Sequence, residues 1–325
     1  MKQQSFEQRY APNWLEYQNI LKQLRSSKNK NQPSFSDFPA RYRQMCNLYA
    51  LAKSRRYSPQ LVQMLHDLVM ESHQYFYRSS KIYSWQIIRF FLVDFPAAMR
   101  KQAKLFWLST AIMVVPALVL GTLCYRDANF IYTVAPAHTV VEMETMYDPN
   151  NKVIGRARES STNFMMFGFY IYNNVGIGFR TFAGGLFLGV GAIASLVFNG
   201  ILIGAVAGHL TQVGYISTFW PFVAGHSAFE LTAICITGAA GLRLALGIFS
   251  PGRYRRGEAL KIAGREALPL ALGAASMLFI AAIIEAFWSS NTAFPPIVKY
   301  SVAAILWSLV IAYFSLLGRH HYANH

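Results

Sequence analysis

Residues 179–247 form an almost continuous apolar run, dense in glycine and broken by Asn199, His209, His226, Glu230 and Arg243. An ionisable group at that depth costs about 2.5–3.5 kcal/mol if it faces lipid, so these side chains are expected to face the protein interior or a wet cavity. Residues 105–124 carry no charge over twenty positions, the length of one hydrocarbon-core crossing. Residues 267–288 and 297–317 read as two further crossings joined by a short uncharged link. The pattern predicts an all-α, polytopic membrane helix bundle.

Parity constrains the remaining topology. Arg253, Arg255, Arg256, Lys261 and Arg265 form a basic stretch, expected on the same side as the basic N-terminal region. The polar segment 125–163, with turn signals at Asp148, Pro149, Asn150 and Asn151, is expected outside. The chain then leaves the outside near Asn173 and Asn174 and must be back inside by Arg253, which takes an odd number of crossings. Residues 218–247 supply one. Residues 178–214 are expected either to cross twice, with a short second leg from Gly200, or to form a re-entrant hairpin turning near Asn199 and Gly200. Residues 164–172 are aromatic but short, and are expected to rest at the outer interface or dip back in. The count is six crossings, or four plus a re-entrant hairpin; irregular backbone at that depth is tolerated where protein buries it or where it lines a cavity. Gly185 and Gly189 form one GxxxG, and Gly200, Gly204 and Gly208 form two in tandem, a spacing that brings helix backbones together. Gly189, Gly191 and Ala194 also spell GxGxxA, but no βαβ pattern surrounds them to suggest a dinucleotide site.

Upstream the pattern becomes amphipathic. Trp14, Leu15, Ile20, Leu21 and Leu24 predict a helix ended by a polar linker at 26–32. Tyr42, Met45, Leu48, Tyr49 and Ala52 predict a second. A third has Ser58 as N-cap and Pro59 at its first position, followed by Leu61, Leu65, Leu68, Val69 and Phe76. These helices are expected to bundle as a cytoplasmic domain over 1–84. Residues 85–104 mix Ile87, Ile88, Phe90, Phe91, Leu92 and Phe95 with Arg89, Arg100, Lys101 and Lys104, which fits an interfacial amphipathic helix bent at Pro96. The transmembrane domain follows, over 105–325.

Composition agrees with the apolar pattern: 54% of the 325 residues are hydrophobic and 14% charged, which excludes an ordinary soluble domain. The formal charge of +15 would suggest nucleic acid on a soluble fold. Its segregation into the N-terminal region and the 253–265 stretch is instead what positive-inside bias produces, and no nucleic-acid partner is expected. Cys46, Cys124 and Cys235 lie too far apart in sequence for a CxxC motif or a disulfide framework. The polar start Met1-Lys2-Gln3-Gln4 lacks an apolar signal region, so both termini are expected in the cytoplasm and the chain in a bacterial inner membrane.

His226 and Glu230 are four apart and share a helix face. On the parity argument they lie in the outer half of the bilayer, with His209 ending the preceding leg on the same side and Glu285 near the outer end of its span. The four are expected to converge beneath the outer surface, with Trp220 and Trp288 as interface anchors. Arg243 lies about 20 Å from Glu230 along a helix and belongs with Arg253 at the other face. Three readings are open: a hydrogen-bonded cluster that fixes helix register, a solute or proton pathway, or a metal-dependent intramembrane hydrolase. A metal at His226 and Glu230 carries least weight, because HxxxE lacks the glutamate that HExxH places beside its first histidine. No catalytic residue and no cofactor is assigned.

The residues also carry a resemblance. Phe38-Pro39-Ala40-Arg41-Tyr42-Arg43, the run 48–52, His73 with Tyr77, and Phe95-Pro96 before the first span are one part of it. Asn173-Asn174, Gly184-Gly185, Asn199-Gly200, His226 to Glu230 with Leu231 and Ala233, the run 238–242 and Glu285 are the other. In this order they resemble the integral membrane proteins related to stage II sporulation protein M, in the long form with an N-terminal helical domain. Ser227 departs from the pattern, where glycine is expected. The resemblance implies a non-enzymatic membrane component or scaffold of a multi-protein envelope complex. Similar proteins often occur beside a MoxR-type ATPase and von Willebrand factor A-like proteins, so protein partners are expected through residues 1–84, together with a homo-oligomer through the glycine faces. The alternative is a transporter or channel-like protein with its polar site in the outer half of the membrane.

Overall fold

The computed structural model describes residues 2–26, 38–77, 80–150, 154 and 163–319. Among the described residues there are helices and no strand, and the chain divides into two units, Met1–Ile87 and Ile88–His325.

The first unit holds α1 (Gln3–Ser26), α2 (Phe38–Ser54) and α3 (Pro59–Tyr77). The first helix starts well before the expected Trp14, because Phe6 and Tyr10 continue the stripe of Trp14, Tyr17 and Leu21 at steps of three and four residues. Met45, Leu48 and Ala52 of α2 and Leu61, Leu65 and Leu68 of α3 close the core. Gln3 joins the start of α1 to the start of α3: its Nε2 donates to Ser58 Oγ and its Oε1 accepts from the Ser58 amide, both at 2.9 Å. The expected linker at 26–32 lies, apart from Ser26, outside the described residues, as does the Phe76 side chain. Tyr17 lies buried at the centre of the core. Its ring stacks on Phe38 at 5.8 Å and its hydroxyl donates to Ser72 Oγ at 2.8 Å, which in turn donates to Leu68 O.

The helix α4 (Ser80–Arg89) runs across the division. A π-helical turn, Phe90–Asp94, and α5 (Phe95–Lys101) follow, with a break at Gln102. In the stretch expected to be one helix bent at Pro96, the π-helical turn ends immediately before Phe95-Pro96, with the Phe95 amide donating back to Phe90 O, and the helix breaks again at Gln102 (φ −103°, ψ 20°). Phe95 is buried against Gly273; a Cβ there would come 2.2 Å from the ring.

The long helices are α6 (Ala103–Arg126), then, beyond a 3-10 turn and α7 (Ala137–Tyr147), α8 (Asn163–Ala183), α9 (Val190–Gln212), α10 (Ile216–Phe249), α11 (Arg256–Ile283) and α12 (Pro296–Leu316). A π-helical turn, Ile284–Ser289, extends α11. Five of these, all but α8, are long and apolar enough to cross a membrane. The remaining one has 21 residues, about 32 Å of helix, and packs against α9, α10 and α11. Asn173, Asn174 and Arg180 lower its apolarity, and neighbouring helices bury its Asn174.

This arrangement corrects three expectations. Residues 164–172 are not a separate short element but the first half of a 21-residue helix. The reversal between α8 and α9 falls at 184–189, where Gly189 takes φ +80°, and Asn199 and Gly200 lie inside α9. Among the described residues the bundle therefore contains six long helices, with no turn at Asn199 and Gly200. Gly185 and Gly189 belong to that reversal and not to a helix face, and Gly185 abuts the Gly241 carbonyl of α10. The polar segment expected outside folds back as α7, whose Val140 packs with Ile131, Cys124 and Ala205.

Helices α6 and α9 run parallel with their backbones in contact. A Cβ at Gly200, Gly204 or Gly208 would lie 2.1 Å from the carbonyl oxygens of Met113, Ala117 and Gly121 respectively. At the centre stands α10, with 78% of its apolar window buried against 11% for α6 and 22% for α12.

Two predictions follow from this packing. Gly204→Ala should lower the thermal stability of the full chain in detergent by about 1–3 kcal/mol, because a backbone carbonyl blocks the new methyl. Gly264→Ala, with open space at its Cβ position, should be neutral or stabilising. In the first unit, burial pushes the Tyr17 phenol up to about 12, against the opposing hydrogen bond to Ser72. The folded chain therefore holds this proton where the unfolded chain has lost it, so the stabilisation is complete below about pH 10 and falls as pH rises toward 12. Tyr17→Phe should remove that alkaline dependence while costing about 1 kcal/mol at neutral pH, read from chemical unfolding followed by circular dichroism.

Candidate functional site

On α10, His226 and Glu230 lie one turn apart, with His226 Nε2 3.6 Å from Glu230 Oε2. The third member, Glu285, comes from the π-helical turn that ends α11. Such turns widen the backbone to i→i+5 bonding and recur at functional sites. One donor atom from each of the three residues lies within 4.8 Å of the other two.

Polar groups from four helices surround them. His226 Nδ1 and Ser289 Oγ share a hydrogen bond of 3.1 Å, and Ser289 O accepts from Lys299 Nζ of α12 at 2.8 Å. From α8, Asn174 Nδ2 donates to Glu285 Oε2 at 3.3 Å, while Asn173 Nδ2 donates to Asn174 Oδ1 at 2.9 Å. Ser227, where glycine was expected, offers a hydroxyl that donates to Ala224 O and accepts from Trp307 Nε1 of α12 at 3.2 Å. The Phe222 ring meets the imidazole edge-on at 5.5 Å. Two carboxyl groups thus stand beside one imidazole, with His226 almost wholly buried and Glu230 and Glu285 partly exposed.

His209 lies apart from this cluster. Its Nε2 pairs with Glu144 Oε1 of α7 at 2.8 Å. The segment read as an external loop supplies that carboxylate by folding back over the end of α9. Asn173 and Asn174 were expected where the chain leaves the outside; they occupy the middle of α8, and Asn174 faces the cluster. Asn199 donates to Ser195 O within its own helix and, with Asn173, Arg180 and Ser195, lines a groove of about 670 Å³ between α8 and α9. Trp220 donates to Thr211 Oγ1, and Trp288 packs on Phe294 at 4.3 Å.

The opposite end of the bundle collects the basic residues. There Glu266 accepts from Arg243 Nε at 2.7 Å and from Lys101 Nζ at 2.8 Å, joining α10, α11 and the end of α5. Arg243 thus finds its partner away from Glu230, as its distance along the helix required.

Sequence reading missed Lys299, Glu144, Glu266 and Arg180. A lone lysine one turn into an apolar helix looks like a flank, and its burial was visible only once the 289–296 link closed onto it. Glu144 had no helical periodicity relating it to His209.

The class so defined is an all-helical, polytopic membrane protein with an internal imidazole–carboxylate cluster. Residues 99–290 match the family model described as Stage II sporulation protein M, and the chain belongs to that family. Residues 4–78 match a second model, a domain of unknown function (DUF8413). Neither a curated protein nor a solved structure matches the chain significantly. The first match includes Asn174, His226, Glu230, Glu285 and Ser289 and ends before Lys299.

Lys299 is the brace behind His226. Lys299→Met should cost about 1.5–3 kcal/mol in thermal unfolding, since Ser289 O loses a charged donor, while Lys299→Arg should recover part of that loss.

Proposed function

We propose that the protein is a non-enzymatic component of the bacterial inner membrane that connects a cytoplasmic partner-binding domain to a multi-protein envelope complex. The observation that carries this reading is the first unit: three helices with their own aromatic core, separate from the membrane bundle. Its basic residues Arg41, Arg43, Lys53, Arg55 and Arg56 suit an acidic protein surface or anionic lipid. The close-packed centre of the bundle, with glycine and alanine where α10 meets its neighbours, also suits a holding role more than a moving one. Positive-inside bias orients the end with Arg243, Arg253, Arg255 and Arg256 toward the cytoplasm, with both termini on that side. The resemblance adds a MoxR-type ATPase-linked assembly as the kind of partner, and the tandem glycine face of α9 is already occupied by α6 within one chain.

The second reading is a transporter or channel-like protein, supported by the two carboxylates beside a π-helical turn. One comparison separates the two. Full-length tagged chain, the Glu230→Gln variant and a chain lacking residues 2–77 are purified from native membranes, with an envelope phenotype of the deletion strain as readout. The connecting role predicts that the truncated chain still reaches the membrane but loses both its stoichiometric partners and its ability to complement, while Glu230→Gln keeps both. Complementation by the truncated chain, or its loss in Glu230→Gln with partners retained, overturns that role.

A further inference from the structure

We infer that His226, Glu230 and Glu285 form a binding site for one divalent first-row transition cation of the zinc and cobalt class, inside the membrane bundle. The site is independent of the connecting role proposed above.

Donor spacing is the first argument. His226 Nε2 stands 3.6 Å from Glu230 Oε2, too far for a hydrogen bond. In a tetrahedral site with metal–nitrogen and metal–oxygen bonds of about 2.0–2.2 Å, neighbouring donors lie about 3.3–3.5 Å apart. The His226–Glu230 separation already fits, and rotation of the Glu285 carboxylate brings in the third donor, whose distance is at most 4.8 Å.

The tautomer is the second. Ser289 Oγ lies on His226 Nδ1, so in the tautomer whose Nδ1–H donates to Ser289 the Nε2 lone pair is the one that can ligate, and it stands beside Glu230. Metal-bound histidines are held in this way, with the second ring nitrogen donating to a fixed oxygen. Here that oxygen is itself held, because Lys299 fixes the Ser289 main chain.

Charge balance and access complete the case. Neutral imidazole and two carboxyl groups that give up their protons on binding supply two negative charges, which a divalent cation cancels. Mixed imidazole and carboxylate donors suit zinc, cobalt and their neighbours better than calcium or magnesium, which take oxygen donors alone. Glu230 and Glu285 keep partial exposure, giving an ion a way in, and three protein donors leave a fourth coordination position open.

The test uses the full chain in detergent, purified without chelator, then stripped and titrated with Co²⁺ and Zn²⁺. Near-stoichiometric binding is expected, with visible Co²⁺ absorption of a four- or five-coordinate site and a rise in the unfolding temperature. Glu230→Gln and Glu285→Gln, which preserve side-chain shape, should each weaken binding more than 10-fold, and Ser289→Ala by about 10-fold through the histidine. His209→Gln, in the separate pair with Glu144, should bind as the parent does. Absence of metal in the freshly purified parent, together with no Co²⁺ absorption and no change in unfolding temperature on titration, would overturn the site whatever the variants do. So would undiminished binding in the Glu230→Gln, Glu285→Gln double variant.

Discussion

The bundle depends on how closely helix backbones approach one another. Lipid tails are as apolar as leucine, so no hydrophobic force draws helices together inside a membrane; packing and interhelical hydrogen bonds must do so. Here bare backbone provides the contact. The carbonyls of Met113, Ala117 and Gly121 lie where side chains on α9 would otherwise be, and Gly185 meets Gly241 in the same way. That thinness lets α10 be surrounded by five other long helices, and a surrounded helix is the only place in the bundle where His226 can be buried from every side.

Enclosure of α10 then sets the terms for its polar residues. His226 meets Ser289 from the end of α11 and Ser227 meets Trp307 from α12, while Asn174 of α8 and Lys299 of α12 hold Glu285 and Ser289 in turn. At the other end, Glu266 does the same for Arg243 and Lys101. The two clusters differ in sign. Around Glu266 two cations meet one carboxylate, whereas around His226 two carboxylates meet an imidazole, with the lysine bonded to a backbone oxygen.

Much of this was legible in the sequence, and the limits have physical causes. Long uncharged runs such as 105–124 identify spans because the hydrocarbon core demands about twenty apolar residues. In the first unit, steps of three and four residues identified three helices, and the continuation to Phe6 obeys the same rule. Polar residues can hide a helix from that signal: α8 carries two asparagines and an arginine, of which neighbouring helices bury Asn174, so hydropathy reads its first half as a separate short fragment. The GxxxG spacing has the opposite ambiguity. Gly200, Gly204 and Gly208 are a packing face, whereas Gly185 and Gly189 share the spacing and make a reversal, since glycine serves close approach and positive φ equally well.

Convergence was the least legible property, and the cluster shows why. The i,i+4 relation of His226 and Glu230 is a statement about one helix, which periodicity can make. Glu285 joins them only because α11 widens into a π-helical turn over 284–289, and no spacing rule marks such a turn. The same turn places Ser289 against the imidazole, so a single backbone irregularity supplies both the third acidic group and the oxygen that orients the histidine. His209 shows the converse: it shares the depth and chemistry expected of the cluster, yet α7 reaches it first with Glu144. Depth in the bilayer can therefore be read from a sequence, but which polar groups meet at that depth is decided by the turns between the helices and by the segments that fold back over their ends.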